Sequence, residues 1–138
     1  MRYINLAVMA FVFGTATTAL GGKVALVDAS GGVHGNVNVN LARGSIRLKA
    51  TSLAPLPATV DTGSGTFTAH LYKTYLSSST DAAVEVSLGD LFPNGKQRAV
   101  QKAKLRGDLS QMGLDRFTVT AFSKDGQSAF DVLTATLP

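Results

Sequence analysis

The chain has 138 residues, with 13 Lys and Arg residues against nine Asp and Glu residues and no cysteine. This length suits one domain with a single core behind a short leader, and the lack of cysteine excludes disulfides and thiolate metal sites. The net charge of +4 is scattered along the sequence, whereas a nucleic-acid binder usually concentrates it on one face. We therefore expect no nucleic-acid partner.

Residues 1–21 have the layout of a secretory signal. Arg2 supplies the basic start, residues 6–13 an apolar centre, and residues 14–22 an exit of mostly small residues. Asn5 and several threonines make this stretch marginal as a transmembrane anchor, which needs about 20 mostly apolar residues. We predict an exported protein, secreted or at the cell surface, that meets a membrane only through the leader, if the leader is retained.

Residues 22–43 are predicted to form an N-terminal strand and linker that could be donated to a neighbouring molecule. Residues 23–28 (KVALVD) favour a strand, Ser30-Gly31-Gly32 interrupts it, and three asparagines then alternate with apolar residues. Alternating apolar side chains and free main-chain groups suit pairing with another molecule's sheet. The alternative, pairing within its own domain, fits the pattern equally well. The predicted subunit-contact residues are Val24, Leu26, Val37, Val39 and Leu41.

The remaining residues, 44–138, alternate between strand patterns and turns. Strand patterns cover residues 46–50, 66–76, 84–88, 98–106, 117–122 and 130–137. Residues 53–57 contain two prolines and cannot be a central strand, while Asn94-Gly95 and Asp125-Gly126 suit tight hairpins. Beyond the leader, a helical pattern appears only as one turn near residues 109–112. We predict an all-β fold: a single antiparallel, Ig-like β-sandwich of seven or eight strands.

Two of these strands have distinct faces. In residues 66–76, Phe67, Ala69 and Leu71 are predicted to share one face, opposite His70 and Tyr72. In residues 98–106 the basic side chains share one face and the opposite face is only thinly apolar, which predicts an edge or outer strand whose lysines prevent unwanted sheet pairing. A contact with an anionic polymer or a membrane surface is the alternative for this strand.

The order of several segments is distinctive. These are residues 44–53 (GSIRLKATSL), 55–57 (PLP), 67–72 (FTAHLY), 86–91 (VSLGDL) and 117–121 (FTVTA). Together they resemble the extracytoplasmic C-terminal domain of anti-sigma-K-type factors, over about residues 44–137. The resemblance implies a β-sandwich outside the membrane. Sigma-factor regulation does not carry over, because in that family the sigma-binding part precedes a membrane span, whereas this sequence starts with the leader.

The sequence offers no recognisable catalytic or metal-binding pattern. His34 lies in a glycine-rich stretch and His70 in a strand, and neither shows a zinc-ligand spacing or a paired carboxylate. Five acidic residues lie in or beside loops, without the repeat of a calcium site. These are Asp28, Asp61, Asp81, Glu85 and Asp90. We predict no catalytic residues, no metal and no cofactor, and a small-molecule ligand is not expected.

These expectations favour a non-enzymatic structural protein. Its partner would be itself, in an extracellular filament or surface layer assembled head to tail through donation of residues 22–43. The alternative is a monomeric binding or sensing module of the cell envelope, as the anti-sigma resemblance implies. An enzyme would require a deep pocket that contains His70 and carboxylates.

Overall fold

A computed structural model describes residues 23–138, and the predicted leader lies outside them. The described chain is all-β without a helix, which confirms the all-β part of the predicted fold. None of these residues forms a helix that could cross a membrane. The strands are β1 (Lys23–Val27), β2 (Val33–Asn40), β3 (Ser45–Thr51), β4 (Ala58–Asp61), β5 (Thr66–Ser77), β6 (Glu85–Leu91), β7 (Arg98–Lys104), β8 (Arg116–Ser123) and β9 (Ala129–Thr136).

Antiparallel pairing joins these strands into one curled sheet. Their order is β4-β5-β8-β9-β1-β2-β3-β7, and β6 lies beside β5 on the same edge as β4. Between β9 and β1 the path narrows to one pair, Val27 with Thr134. The pairing thus shows a curled sheet and not, by itself, two separate packed sheets. The strand that sequence patterns missed is β4, because it is only four residues long and follows Pro57 directly.

The core fills the inside of the curl. Alternate residues of β2 and β3 point inward, as the period-two pattern predicts. Tyr72 is the largest fully buried side chain, and its hydroxyl donates a hydrogen bond to the Ala54 carbonyl at 2.8 Å. Burial raises the pKa of Tyr72. The other large, fully buried side chains are Phe117, Leu26, Leu48, Leu76, Leu91, Val37, Val119 and Thr74.

A β-bulge in β5 reverses the predicted alternation of this strand. Ala69 faces the core, but beyond it Tyr72 and Leu76 are buried while Leu71 is only half-buried. The register with β8 shifts between Ala69 and Leu71, which leaves His70 as the extra residue. One extra residue moves every following side chain to the opposite face. The predicted face of residues 66–76 is therefore wrong beyond Ala69.

The two predicted tight turns differ in their outcome. Asp125-Gly126 lies in the connection between the paired strands β8 and β9, with Gly126 at φ 75°, so this hairpin is confirmed. Asn94-Gly95 instead joins β6 to β7, which pair with β5 and β3 respectively. The Asn94 side chain stabilises this loop by accepting hydrogen bonds from the Lys96 and Arg98 amides at 2.8 and 3.1 Å.

The basic strand β7 is at one end of the sheet, which confirms its prediction as an edge strand. Its inward-facing Gln101 connects this end to the other end of the sheet. The Thr74 hydroxyl of β5 donates to the Gln101 side-chain oxygen at 2.7 Å, and the Gln101 amide donates to the Asp90 carbonyl of β6 at 3.3 Å. These bonds hold the curl closed without a β-ladder between β6 and β7.

Candidate functional site: the N-terminal strand and its link

The N-terminal strand β1 has strong pairing on one side only. It pairs with β2 from Lys23 to Val27, whereas it meets β9 only through Val27 and Thr134. Along the rest of β9, residues 129–133 have β8 as their only partner strand among residues 23–138. The sheet is therefore weakest between β1 and β9.

The predicted subunit-contact residues all pack on the core of their own chain. Leu26 of β1 is 0% exposed, and the three members from β2 and its following turn lie beside it in the same apolar cluster. The buried members are Leu26, Val37 and Val39, and the partly buried members are Val24 and Leu41. The structure thus brings all five residues together, within one chain. Their contact with a second molecule stays a prediction.

Residues 28–32, called the link below, connect β1 to β2 and are organised by one carboxylate. Asp28 accepts hydrogen bonds from the Ser30 amide at 2.9 Å, the Ser30 hydroxyl at 2.7 Å and the Gly32 amide at 2.9 Å. Gly31 adopts a φ of 89°, which favours glycine. The link is thus held by bonds among its own residues, with one addition from His34.

Asp28 and His34 form a pair that sequence reasoning missed. His34 Nε2 lies 2.6 Å from Asp28 Oδ2. The Ser30 hydroxyl first, and then His34, hold the pKa of Asp28 well below its usual range. The prediction that neither histidine has a paired carboxylate is therefore wrong for His34. The segment Asp28-Ala29-Ser30-Gly31-Gly32 was the available signal, since this composition favours a tight turn that returns the chain to Asp28.

Asp28 and His34 hold each other in place through this contact. Among residues 23–138, His34 Nδ1 is buried and has no hydrogen-bond partner. Across residues 23–138, no three His, Cys, Asp or Glu side chains are grouped to hold a metal ion. His70 is exposed on β5 and lies outside the shallow depression beside Asp28 and His34. What this arrangement can do is fix the path of the link.

By contrast, β2 is firmly attached to β3. A Cβ atom on Gly35 would lie 2.1 Å from the Lys49 carbonyl oxygen, so the two backbones approach unusually closely there. The turn after β2 is also tethered, because the Leu109 amide donates to the Leu41 carbonyl at 2.8 Å and the Leu105 amide to the Gly44 carbonyl at 2.7 Å. Within residues 23–138, the backbone bonds of the link before β2 are all among its own residues, so it has no comparable tether to the rest of these residues.

No protein-family model matches this chain, and neither a curated protein nor a solved structure was found to be similar to it. The resemblance to the anti-sigma-K-type extracytoplasmic domain therefore stays a prediction.

Proposed function

We propose that this protein is a non-enzymatic, exported structural subunit that assembles into a filament or surface layer by exchanging β1 between neighbouring molecules. The observation that carries this proposal is the asymmetric pairing of β1, with a full partner in β2 and a single pair with β9. A strand with one nearly free edge can leave its own sheet at lower cost than a strand paired on both sides. The leader pattern of residues 1–21 supports export.

The link is the proposed hinge of this exchange. Its five residues span about 17 Å when extended, which is enough to carry β1 to an adjoining molecule. Opening the link breaks the hydrogen bonds around Asp28, while β2 stays in place because Gly35 and the turn at Leu41 fasten it to the domain. We therefore narrow the donated segment from residues 22–43 to β1.

Exchange conserves the contacts that β1 makes. In a neighbouring molecule, Val24 and Leu26 would fill the same positions that they fill in their own chain. The receiving groove is the one that the neighbour's own β1 vacates. Repeated from molecule to molecule, this contact is heterologous and does not close, which yields a filament, whereas a reciprocal exchange yields a dimer.

We also propose that the curled sheet behaves as the predicted sandwich, over residues 44–138 together with β1 and β2. Its two halves would be β4, β5, β6, β8 and β9 on one side and β1, β2, β3 and β7 on the other. The single pair between β9 and β1 and the side-chain bridge through Gln101 support this division. The core cluster would then fill the space between the halves.

A monomeric cell-envelope binding module is the second candidate. The observation that favours it is the complete burial of Leu26 in the core of its own chain, which fills the groove without a donor. In that case the resemblance to anti-sigma extracytoplasmic domains would extend from the fold of this protein to its function.

Negative-stain electron microscopy of the natively exported protein, with intact mass from the same sample, separates the two candidates. We expect filaments or sheets, and a mass that lacks about 21 residues if the leader is removed. Shortening the link by deleting Gly31 and Gly32 should increase assembly, because a shorter link strains the turn that returns β1 to its own sheet and so favours the exchanged form. Separate small particles from the wild-type protein would contradict assembly and favour the binding module.

A further inference from the structure

Cationic side chains that are scattered in the sequence gather on one face of the fold. The outer faces of β1, β2, β3 and β7 form a continuous surface. The strand register places Lys23 opposite Asn38, Asn38 opposite Arg47 and Arg47 opposite Lys102. All nine acidic residues lie outside these four strands. The exposed cations of this basic face are Lys23, Arg47, Lys49, Arg98, Lys102 and Lys104.

These charges lie close together without anionic partners. Arg47 and Lys102 are directly opposite each other on adjacent strands, about 5 Å apart at the backbone. Lys49 lies about 7 Å from Arg47 along β3, and Lys104 lies about 7 Å from Lys102 along β7. Like charges that face each other across a sheet destabilise it. Among residues 23–138 the only side chains within salt-bridge distance are His34 and Asp28, so no carboxylate of these residues pairs with any of the six cations.

Protection of a sheet edge does not account for this arrangement. Lysines on β7 can serve that purpose, because β7 is an edge strand. Arg47 and Lys49, however, lie on β3, which is paired on both sides by β2 and β7. Cations on a fully paired strand protect no edge, and their repulsion is best offset by a bound polyanion.

The neutral residues of the basic face indicate which polyanion fits. Asn36, Asn38 and Asn40 line its β2 row and are half-buried, and their amide groups can both donate to and accept from hydroxyl groups. None of the four strands contains Phe, Tyr or Trp, so the face has no stacking platform for nucleic-acid bases. Val33 and Val100 are the exposed large apolar side chains of these four strands, and two such side chains are little for insertion into a lipid surface.

We infer that the basic face of β1, β2, β3 and β7 binds an acidic polysaccharide, with the cations on its carboxylate or sulfate groups and the asparagine row on its hydroxyls. This binding does not depend on the exchange of β1, because the cations of β3 and β7 stay in the domain in either form. An assembled protein would present many such faces and bind the polymer more tightly through multivalency.

The test is binding of a fluorescein-labelled alginate oligomer, a polyuronate, followed by fluorescence anisotropy at several salt concentrations. We expect affinity to fall linearly with log salt concentration, as in other polyelectrolyte binding. The double variant Arg47→Gln with Lys102→Gln should bind about 10- to 30-fold more weakly. Its salt slope should also be smaller by about 1 to 2.

Two matched variants control for net charge and folding. Arg116→Gln with Lys124→Gln removes the same charge from exposed positions outside the basic face and should bind within about twofold of the wild type. Arg47→Lys with Lys102→Arg keeps both charges and should also bind like the wild type. Equal thermal unfolding of all three variants would show that the exposed substitutions leave the fold intact.

Three outcomes would overturn the inference. The first is no binding of alginate at low salt, and the second is an equal loss in both glutamine variants. The third is tighter binding to duplex DNA or to vesicles with anionic lipids than to alginate, which would assign the face to another class of partner. Binding of alginate by separate small particles would retain the inference while contradicting filament assembly.

Discussion

The close approach of β2 and β3 at Gly35 predicts a large effect from a single methyl group. Gly35 has a φ of 127°, and an added Cβ would lie 2.1 Å from the Lys49 carbonyl oxygen and 2.9 Å from Ala50 Cα. Since ordinary contact begins at 3.4 Å, the backbones must separate by about 1.3 Å to accommodate alanine. No flexible side chain is involved, so the β2–β3 ladder itself has to open.

The cost of Gly35→Ala follows from two contributions. The unfavourable backbone conformation costs about 1–3 kcal/mol, and one or two weakened ladder hydrogen bonds add about 0.5–1.5 kcal/mol each. We expect the free energy of unfolding to fall by about 1.5–6 kcal/mol in total. For a domain of this size the melting temperature should fall by roughly 5–25 °C.

Two other glycines separate the steric contribution from the conformational one. Gly63 also has a positive φ, of 88°, but nothing lies within 4 Å of its added Cβ, so Gly63→Ala should cost only about 1–2 kcal/mol. Gly95 has neither constraint, and Gly95→Ala should stay within about 0.5 kcal/mol of the wild type. Urea unfolding followed by circular dichroism measures all three. Equal midpoints for Gly35→Ala and Gly63→Ala would refute the close β2–β3 approach.

Three further predictions concern the core, the link and the closure of the curl. Leu26→Ala should lower the free energy of unfolding by about 2–5 kcal/mol in urea titrations. The control is Val100→Ala, which should leave this free energy nearly unchanged because Val100 is 63% exposed. Equal effects of the two substitutions would contradict the burial of β1. Because hydrogen bonds lower the pKa of Asp28, the stability that its carboxylate gives the fold is fully present above the unfolded pKa of about 4 and is lost as the pH falls further. In thermal melts, Asp28→Asn should therefore be less stable than the wild type at pH 7. The two melting temperatures should converge as the pH falls below about 4. A constant difference across this range would argue against that role. Thr74→Val should cost about 1–2 kcal/mol, because the Gln101 side-chain oxygen loses its donor. A double-mutant cycle with Gln101→Leu should show coupling between the two positions, and the absence of coupling would show that this bond does not close the curl.

Local patterns predicted much of the fold because each strand places alternate residues in one core. The alternation in β3 and β7 is realised residue by residue, and so is the Asp125-Gly126 hairpin. The predictions that failed have two physical origins: the insertion of a single residue into a strand, and pairing between segments that are distant in the sequence. One extra residue at His70 reversed the faces of β5. The composition of Asn94-Gly95 indicates a turn but does not indicate which strands pair on either side of it.

The candidate site was less predictable than the fold. The pattern of β1 marked it as a strand, but its strong and weak edges depend on pairing with β2 and β9. The pair of Asp28 with His34 depends on the path of the link. The basic face was hidden because β1, β3 and β7 are far apart in sequence, and only their register aligns Lys23, Arg47 and Lys102.

Disulfide mapping in the natively exported protein tests the exchange of β1 most directly. The chain has no cysteine of its own, and Ala25 of β1 lies directly opposite Asn36 of β2. Opposed antiparallel residues have Cα atoms about 4.5–5.5 Å apart, which suits a disulfide. The variant Ala25→Cys with Asn36→Cys will therefore link β1 to whichever β2 it pairs with.

The matched control is Asn38→Cys with Arg47→Cys, which links β2 to its neighbour β3. On non-reducing gels the account predicts a ladder of covalent oligomers for the β1–β2 pair and monomers for the β2–β3 pair. Monomers carrying an internal disulfide in both variants would show that β1 stays in its own sheet and would contradict assembly by strand exchange.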